Sequence, residues 1–512
     1  MTASKGSPVT DSPPSSAPAT QDTRGIIPIL LLSAFVLILN ETTMSVAVPR
    51  LMEAFSVEAT TAQWLTTAFL LTMAVVIPLS GFILQRLTTR SVFFLSLGLF
   101  STGTLLCALA PAFSLLLLGR IIQASGTAVM MPLLMTTVLT LVPINRRGVV
   151  MGNISIVIAV APALGPTASG LIQDALGWRW VFGLVLPIAL TMLVAGALRL
   201  KNFGETTKAP VDLPSVVLSA FGFGGLVYAL TQIGEGFGDG NIGNLLVPLA
   251  VGVVALGLFV RRQIALQKED RPLLDLRTFR SRTFTLALGI MMVAFGALLG
   301  SGILLPIYLQ DLRGLTPAQT GLFVMPGGII MGLMGPLVGR LYDKVGPRVL
   351  VLPGVSVLAV LLFAFSRAGL DTPLVMLVVL YTGLMMAIGF TFTPTMTAGL
   401  NSLARQQYSH GSALVGTLQQ VAGGAGTALL VTVMAVRGAS LSGRGVGAEE
   451  AQMGGIELAF MVASVLALVA IALATMLPGR PPTADTVEVS ADVEPSDEEL
   501  LASEGGVSQA RA

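Results

Sequence analysis

A single carboxylate stands where lipid should be. In "LILNETTMSVAVP" (37–49), Asn40 and Glu41 interrupt an apolar run that starts at Gly25. A charged side chain at the centre of a membrane helix costs about 3 kcal/mol on insertion scales, so such residues persist mainly where function needs them. Burial in a low dielectric favours the neutral form of a carboxylic acid, which lets it take up and give back a proton near neutrality. The other acids near apolar runs, Asp174, Asp212, Asp311 and Glu457, fall at run ends, so Glu41 is the candidate proton carrier. Its expected counter-charge is Arg120, in "LLGRIIQASGTA" (117–128). Arg120 comes seven residues after Phe113 and Glu41 eight before Pro49. On antiparallel helices entered from one face, both then lie roughly 10–12 Å deep at 1.5 Å per residue. This predicts a contact that alternates, with Glu41 charged when held by Arg120 and protonated when the helices part, coupling proton binding to conformation. A plainer role stays open, in which Glu41 and Asn40 only hydrogen-bond neighbouring helices.

Other chemistries lack their parts. The one histidine, His410, lies in "RQQYSHGSA" and reads as a solvated loop residue, far from Glu41. Neither a His-based triad nor a His-rich metal site can be assembled around it. Cys107 is the only cysteine, so no intrachain disulfide forms. No Gly-Lys dipeptide occurs, which removes the phosphate-binding loop of an ATP-driven pump. The sequence therefore predicts no enzyme, no cofactor and no bound metal; the energy source expected is an ion gradient.

The elements that must hold these residues are membrane helices. The chain is 54% hydrophobic and 11% charged over 512 residues, with a mean hydropathy of +0.84, far outside the soluble range. Its 56 glycines and 29 prolines suit closely packed, kinked membrane helices. Fourteen apolar runs are long enough to cross a bilayer, at roughly 25–48, 62–84, 91–110, 114–142, 148–171, 179–200, 212–233, 244–261, 283–309, 319–339, 348–366, 373–400, 411–437 and 456–477. These runs are too long for the short alternating strands of a membrane barrel. Even-numbered connections carry Arg86, Arg90, Arg146, Arg147, Lys201, Arg261, Arg262, Arg340, Lys344 and Arg348 among others, whereas the opposite loops hold only Arg50, Arg179, Arg313, Arg367, Arg437 and Arg444. By the positive-inside rule both termini are cytoplasmic. Residues 1–24, rich in Pro, Ser and Thr, and the acidic stretch 479–512 read as disordered cytoplasmic tails. A net charge of +2 offers no footprint for nucleic acid.

Two loops spell one pattern. "PLSGFILQRLTTR" (78–90) and "PLVGRLYDKVGPR" (336–348) share their frame at an offset of 258 residues. A duplicated plan follows, with a six-helix bundle over 25–200, two extra helices and a linker over 201–282, and a second bundle over 283–478. At these residues the chain resembles the major facilitator superfamily, whose corresponding loop carries Gly-x-x-x-Asp-Arg/Lys-x-Gly-x-Arg. Gly339, Asp343, Lys344, Gly346 and Arg348 match it; the first copy keeps Arg86 and Arg90 but has Gln85 for the acid and Thr88 for a glycine. A carboxylate there can pair with an Arg or face a helix N-terminus and clamp one gate state, so the gate at Gln85 is expected to be the weaker. "AVAPALGPTASG" (159–170) resembles the antiporter signature of drug exporters through Gly165, Pro166 and Gly170, with Ala161 and Ser169 for glycines. Arg120 and Gln123 resemble the fourth-helix Arg-x-x-Gln-Gly motif, with Gly126 displaced, while Leu39, Thr42, Val46, Ala47 and Pro49 match a first-helix motif whose aspartate falls on Asn40, one position from Glu41.

Together with fourteen spans, the resemblance points to the EmrB/QacA-type drug:proton antiporters. It implies an all-α polytopic fold of two six-helix bundles plus two extra central helices, working as a monomer in a bacterial plasma membrane. The function it implies is proton-coupled efflux of lipophilic neutral or monocationic drugs by alternating access. A proton-coupled importer of a small metabolite and a non-transporting sensor or scaffold remain alternatives. Candidates for lining a central cavity are Gln63, Trp64, Gln123, Tyr228, Gln232, Tyr308, Tyr381, Gln419 and Gln420. The lack of buried acids in the second half disfavours multiply charged cations as substrates.

Overall fold

The computed structural model describes residues 25–202, 212–234, 243–269 and 271–479; the expected tails, 1–24 and most of 479–512, lie outside the described residues. Among those described there is no strand, and fourteen helical spans are long and apolar enough to cross a membrane. The first bundle comprises α1 (Ile26–Phe55), α2 (Ala59–Arg86), α3 (Thr89–Ala108), α4 (Phe113–Leu141), α5 (Arg147–Leu176) and a span broken into α6 (Arg179–Gly183) and α7 (Val185–Arg199). An accessory hairpin follows, α8 (Leu213–Gly234) and α9 (Gly243–Leu266). The second bundle is α10 (Arg282–Ile307), α11 (Pro317–Val345), α12 (Pro347–Phe365), α13 (Leu374–Asn401), α14 (Tyr408–Ser442) and α15 (Ala448–Ala474).

Several helices differ from the hydropathy runs for local reasons. The sixth run breaks at Leu184 because Pro187, lacking an N–H and crowding the carbonyl four residues back, cannot continue the turn from Gly183. Pro306 precedes a widened π-helical turn, Tyr308–Leu312, that extends α10. α1 continues past residue 49 to Phe55, whose ring meets Phe113 at the start of α4, 6.4 Å between centroids. Glu41 therefore sits at the midpoint of a 30-residue helix. Sharp starts are capped: Thr316 and Gln319 form a reciprocal capping box around Pro317, and Gly346 (φ +81°) turns α11 into α12 in a conformation few other residues adopt.

We call the face at which α1 starts and α15 ends the terminal face. The two bundles meet along two seams, α5 against α11 and α2 against α14, with α8 wedged against both α2 and α14 on the second. The accessory hairpin is pinned at this face. Arg262 holds Asp212 through two hydrogen bonds of 2.7 Å, and Gln263 joins Ser215 to the N–H groups of Leu273 and Leu274 in the following linker. Chiefly through its bonds with Arg262, the Asp212 carboxyl is depressed to about 2.

Candidate functional site

Glu41 is half-buried on α1 and, among the described residues, forms neither a hydrogen bond nor an ion pair. Its neighbour Asn40 is fully buried, and neither of its amide atoms has a hydrogen-bond partner among the described residues. Asn40 belongs to a buried stripe, Leu37, Asn40, Met44, Ala47 and Leu51, at helical spacing. Across from this region lies Arg120 of α4, 1% exposed, whose charge reaches Glu41 through space. The expected held pair is not made in this conformation. Arg120 Nη1 instead donates to Gln123 Oε1 at 2.7 Å, Nε reaches Leu65 O at 3.5 Å, and the guanidinium covers the Phe69 ring at 4.1 Å. Gln123 then donates to Thr104 Oγ1 at 2.8 Å. That chain is possible because α3 and α4 touch backbone to backbone: a Cβ on Gly103 would overlap the Gln123 amide nitrogen. Gln123 is thus the acceptor that parks the cation, with no free amide for a substrate.

The antiporter-like stretch packs directly on the turn carrying Glu41. Gly165 lies against Thr42 and Leu39, so closely that a Cβ would collide with the Thr42 hydroxyl, and Ser169 donates to Thr43 O at 2.8 Å. α5 runs through residues 162 and 166 without a break. The side chain of Pro166 lies outside the described residues, and so do those of Gln63 and Gln232. Gly170 falls in the same stretch of α5.

At the terminal face the loop motif becomes a clamp. Asp343 accepts from the backbone N–H groups of Gly148 (3.0 Å) and Val149 (3.2 Å), capping the start of α5 across the seam. Of the two roles a carboxylate could play here, this is the helix N-terminus one, worth about 0.3–1 kcal/mol for an exposed charge and up to about 2 when partly buried. Glycine pairs make the approach possible: Gly148 faces Gly339 and Gly152 faces Gly335, each where a Cβ would strike the opposite carbonyl. Lys344 and Arg348 point outward as exposed residues. Arg86 and Arg90 are also exposed; Arg90 donates to Ala197 O at 2.9 Å, closing the end of α7.

Two residues at this face have roles that their place in the sequence does not mark. Arg147 is buried and reaches from the first bundle to Asn401 Oδ1 (2.9 Å) and Tyr408 Oη (3.2 Å) of the second while also donating to Leu139 and Val142 carbonyls. Its neighbour Arg146 is exposed, and nothing in "NRRG" separates the two beyond the glycine that follows. His410 is the second: it is no solvated loop residue but a 4% exposed side chain in the first turn of α14. Gln85 Nε2 lies 2.7 Å from His410 Nε2 and 3.5 Å from Gln406 O, so the first-copy glutamine meets the start of α14 as Asp343 meets the start of α5. The small residues of "HGSALVG" were the available hint, because they permit the approach of Gly81.

The remaining cavity candidates divide. Tyr308 is spent on structure, donating to Gly369 O at 2.8 Å and accepting from Arg313 at 3.1 Å. Trp64 stacks on Tyr228 of the accessory hairpin, 6.1 Å between centroids. Tyr381 packs near Phe323, and its hydroxyl has no hydrogen-bond partner among the described residues. Gln419 and Gln420 are half-buried and form no side-chain hydrogen bond among the described residues; Gln419 lies two turns beyond Ser412, which contacts Thr136 of the first bundle. Ser155 and Thr393 close the floor between α5 and α13 with a short hydroxyl contact. The named contacts between bundles thus gather toward the terminal face, where this conformation is shut.

Comparison with known proteins agrees with this architecture. The family model described as Major Facilitator Superfamily matches residues 30–427. The chain is 40% identical over 459 residues to "Uncharacterized MFS-type transporter YcnB" of Bacillus subtilis (strain 168), covering 89% of this chain and 96% of that protein. It is also 40% identical over 450 residues to "Lincomycin resistance protein LmrB" of Listeria monocytogenes, covering 87% and 94%. The solved structure of the proton:xylose symporter XylE superimposes with a TM-score of 0.62 at 15% identity, over 91% of this chain and 98% of that one, and so shares the fold. With paired bundles, a glycine-lined seam and a motif acid capping α5, this chain belongs to the Major Facilitator Superfamily.

Proposed function

We propose that the chain exports lipophilic neutral or monocationic drugs in exchange for protons, alternating between states open to either side of a bacterial plasma membrane. The terminal face is the cytoplasmic one, as its excess of basic residues favours. The carrying observation is Glu41: mid-helix, half-buried, without a hydrogen-bond partner among the described residues, and within the field of an Arg120 that Gln123 holds aside. When Arg120 leaves Gln123 for the carboxylate, Glu41 gives up its proton; when Gln123 recaptures the guanidinium, Glu41 takes one up. Gly165 lies against the same turn of α1, so this exchange is felt by α5 and hence by the α5–α11 seam. Both halves of the site lie in one chain, so a monomer suffices.

The names of relatives at 40% identity make lincomycin the first substrate to try. In sealed everted vesicles with an acidified lumen, lincomycin addition is expected to draw protons out as the drug is accumulated, whereas an importer by symport would move protons with its substrate. Glu41→Gln should abolish uphill accumulation while leaving folded protein and downhill exchange. Uphill export by Glu41→Gln at wild-type rates would sink the reading.

A further inference from the structure

His410 is a buried imidazole at a joint between three parts of the molecule. α2 contributes Gln85 and Gly81, α14 the ring itself, and the linker from α9 to α10 contributes Asp275, whose charge acts on the ring through space. Gln85 holds Nε2 at 2.7 Å, while Nδ1 is buried with no hydrogen-bond partner among the described residues. Gly81 packs over that nitrogen, a Cβ there falling 3.3 Å from Nδ1. A neutral ring fits this pocket: one nitrogen engages the amide and the other is left with a single unmet valence. A doubly protonated ring does not fit. It presents two N–H donors, and among the described residues the only hydrogen-bond partner of the ring is the Gln85 amide, whose carbonyl can accept one of them when the amide is turned. With the amide as placed, a proton on Nε2 faces an NH2 group; with the amide turned, a proton on Nδ1 is a buried charged donor with no hydrogen-bond partner among the described residues. Either case leaves a cation without its hydrogen bonds, which is relieved when the seam parts and water reaches the ring.

We propose that His410 is a second proton-binding site, set in the closed gate at the terminal face, and that a proton taken up there unlatches α2 from α14. Other charged groups on the surrounding elements are committed elsewhere or exposed. Arg147 from α5 lies over the Tyr408 ring, Asp212 at the start of α8 is held by Arg262, and Arg86, Arg282 and Arg405 are exposed. Asp275 accepts from Gln267 and from the Arg277 backbone, and it also lies 4.0 Å from Arg277 Nε. Asp275 is also the counter-charge an imidazolium would meet as the joint loosens, which ties the accessory linker to the latch.

The test uses the full chain in nanodiscs with Cys107→Ala, nitroxides at Leu87→Cys and Val349→Cys, and Glu41→Gln throughout, so that loss of the Glu41 mechanism cannot masquerade as loss of this one. Both label sites are exposed, at 37% and 55%, one on each bundle at the terminal face. Pulsed dipolar spectroscopy then reads the distance between bundles as the pH is lowered from about 8 to about 5.5, the range in which histidine changes charge. With His410 present, the long-distance population should grow by up to about tenfold per pH unit through the transition, the limit for one linked proton. His410→Gln should remain short throughout. Gln85→Glu, which supplies a charged acceptor facing the ring, should remain latched on acidification, and it decides alone if His410→Gln fails to fold. Absence of acid opening with His410 intact, an unchanged response in His410→Gln, or acid opening that persists in Gln85→Glu overturns the proposal.

Discussion

At the scale of single residues, what matters is which acceptor Arg120 uses. Its 2.7 Å bond to Gln123 and its stack on Phe69 compete with Glu41 for one guanidinium. A hydrogen bond to a charged group contributes about 1.5–3 kcal/mol, so deleting the Gln123 acceptor strongly biases the arginine toward the carboxylate. Gln123→Leu is therefore expected to keep Glu41 ionised and to move the pH profile of export to lower pH by about one unit, one unit being worth about 1.4 kcal/mol. Vesicle transport measured across pH reads this directly; an unmoved profile would mean Gln123 is only packing. The sequence made Glu41 and Arg120 visible because ionisable groups are rare in apolar runs. It could not say where Arg120 points, since Gln123 one turn away and Glu41 on another helix are equally plausible partners on paper.

At the scale of elements, the α5–α11 seam depends on absent side chains. Gly148, Gly152, Gly335 and Gly339 let two backbones touch, and Asp343 then caps α5. Gly152→Val places branched carbons against the Gly335 carbonyl, where neither helix backbone can yield cheaply. The terminal face should then fail to shut: spin-label distances across it lengthen, and uphill transport falls by at least about tenfold, corresponding to about 1.4 kcal/mol against the closed state. A variant that closes normally would show that the seam tolerates bulk. Gly339 and Asp343 stand out in the sequence as one frame, whereas Gly148 and Gly152 do not, because their importance lies wholly in what faces them.

At the scale of the whole molecule, the accessory hairpin is tied to the linker that follows it rather than merely inserted between the bundles. Asp212, Arg262, Gln263 and Gln267 tie α8 and α9 to the linker that carries Asp275 toward His410. The Asp212 carboxyl, held at about 2 in the folded chain against an ordinary value of 3.8, favours the tether in its ionised form. That contribution is complete above roughly pH 4 and is lost as the pH falls through about 2. Asp212→Asn should reproduce the acid-loosened state at neutral pH, with hydrogen exchange in residues 271–281 several-fold faster than in the parent chain. Exchange that is no faster would detach the hairpin from any role in fastening the linker.

The sequence by itself determined that this chain is an all-helical bundle with fourteen helices long and apolar enough to cross a membrane. The reason is that lipid leaves backbone groups no partner outside their own helix, so apolar length translates almost directly into spans. The third dimension decided the rest: that Arg147 bridges the bundles, that His410 is buried against Gln85, and that Arg120 rests on Gln123. Those contacts join residues up to 325 positions apart, and no local pattern of polarity encodes which of several distant helices will face a given side chain.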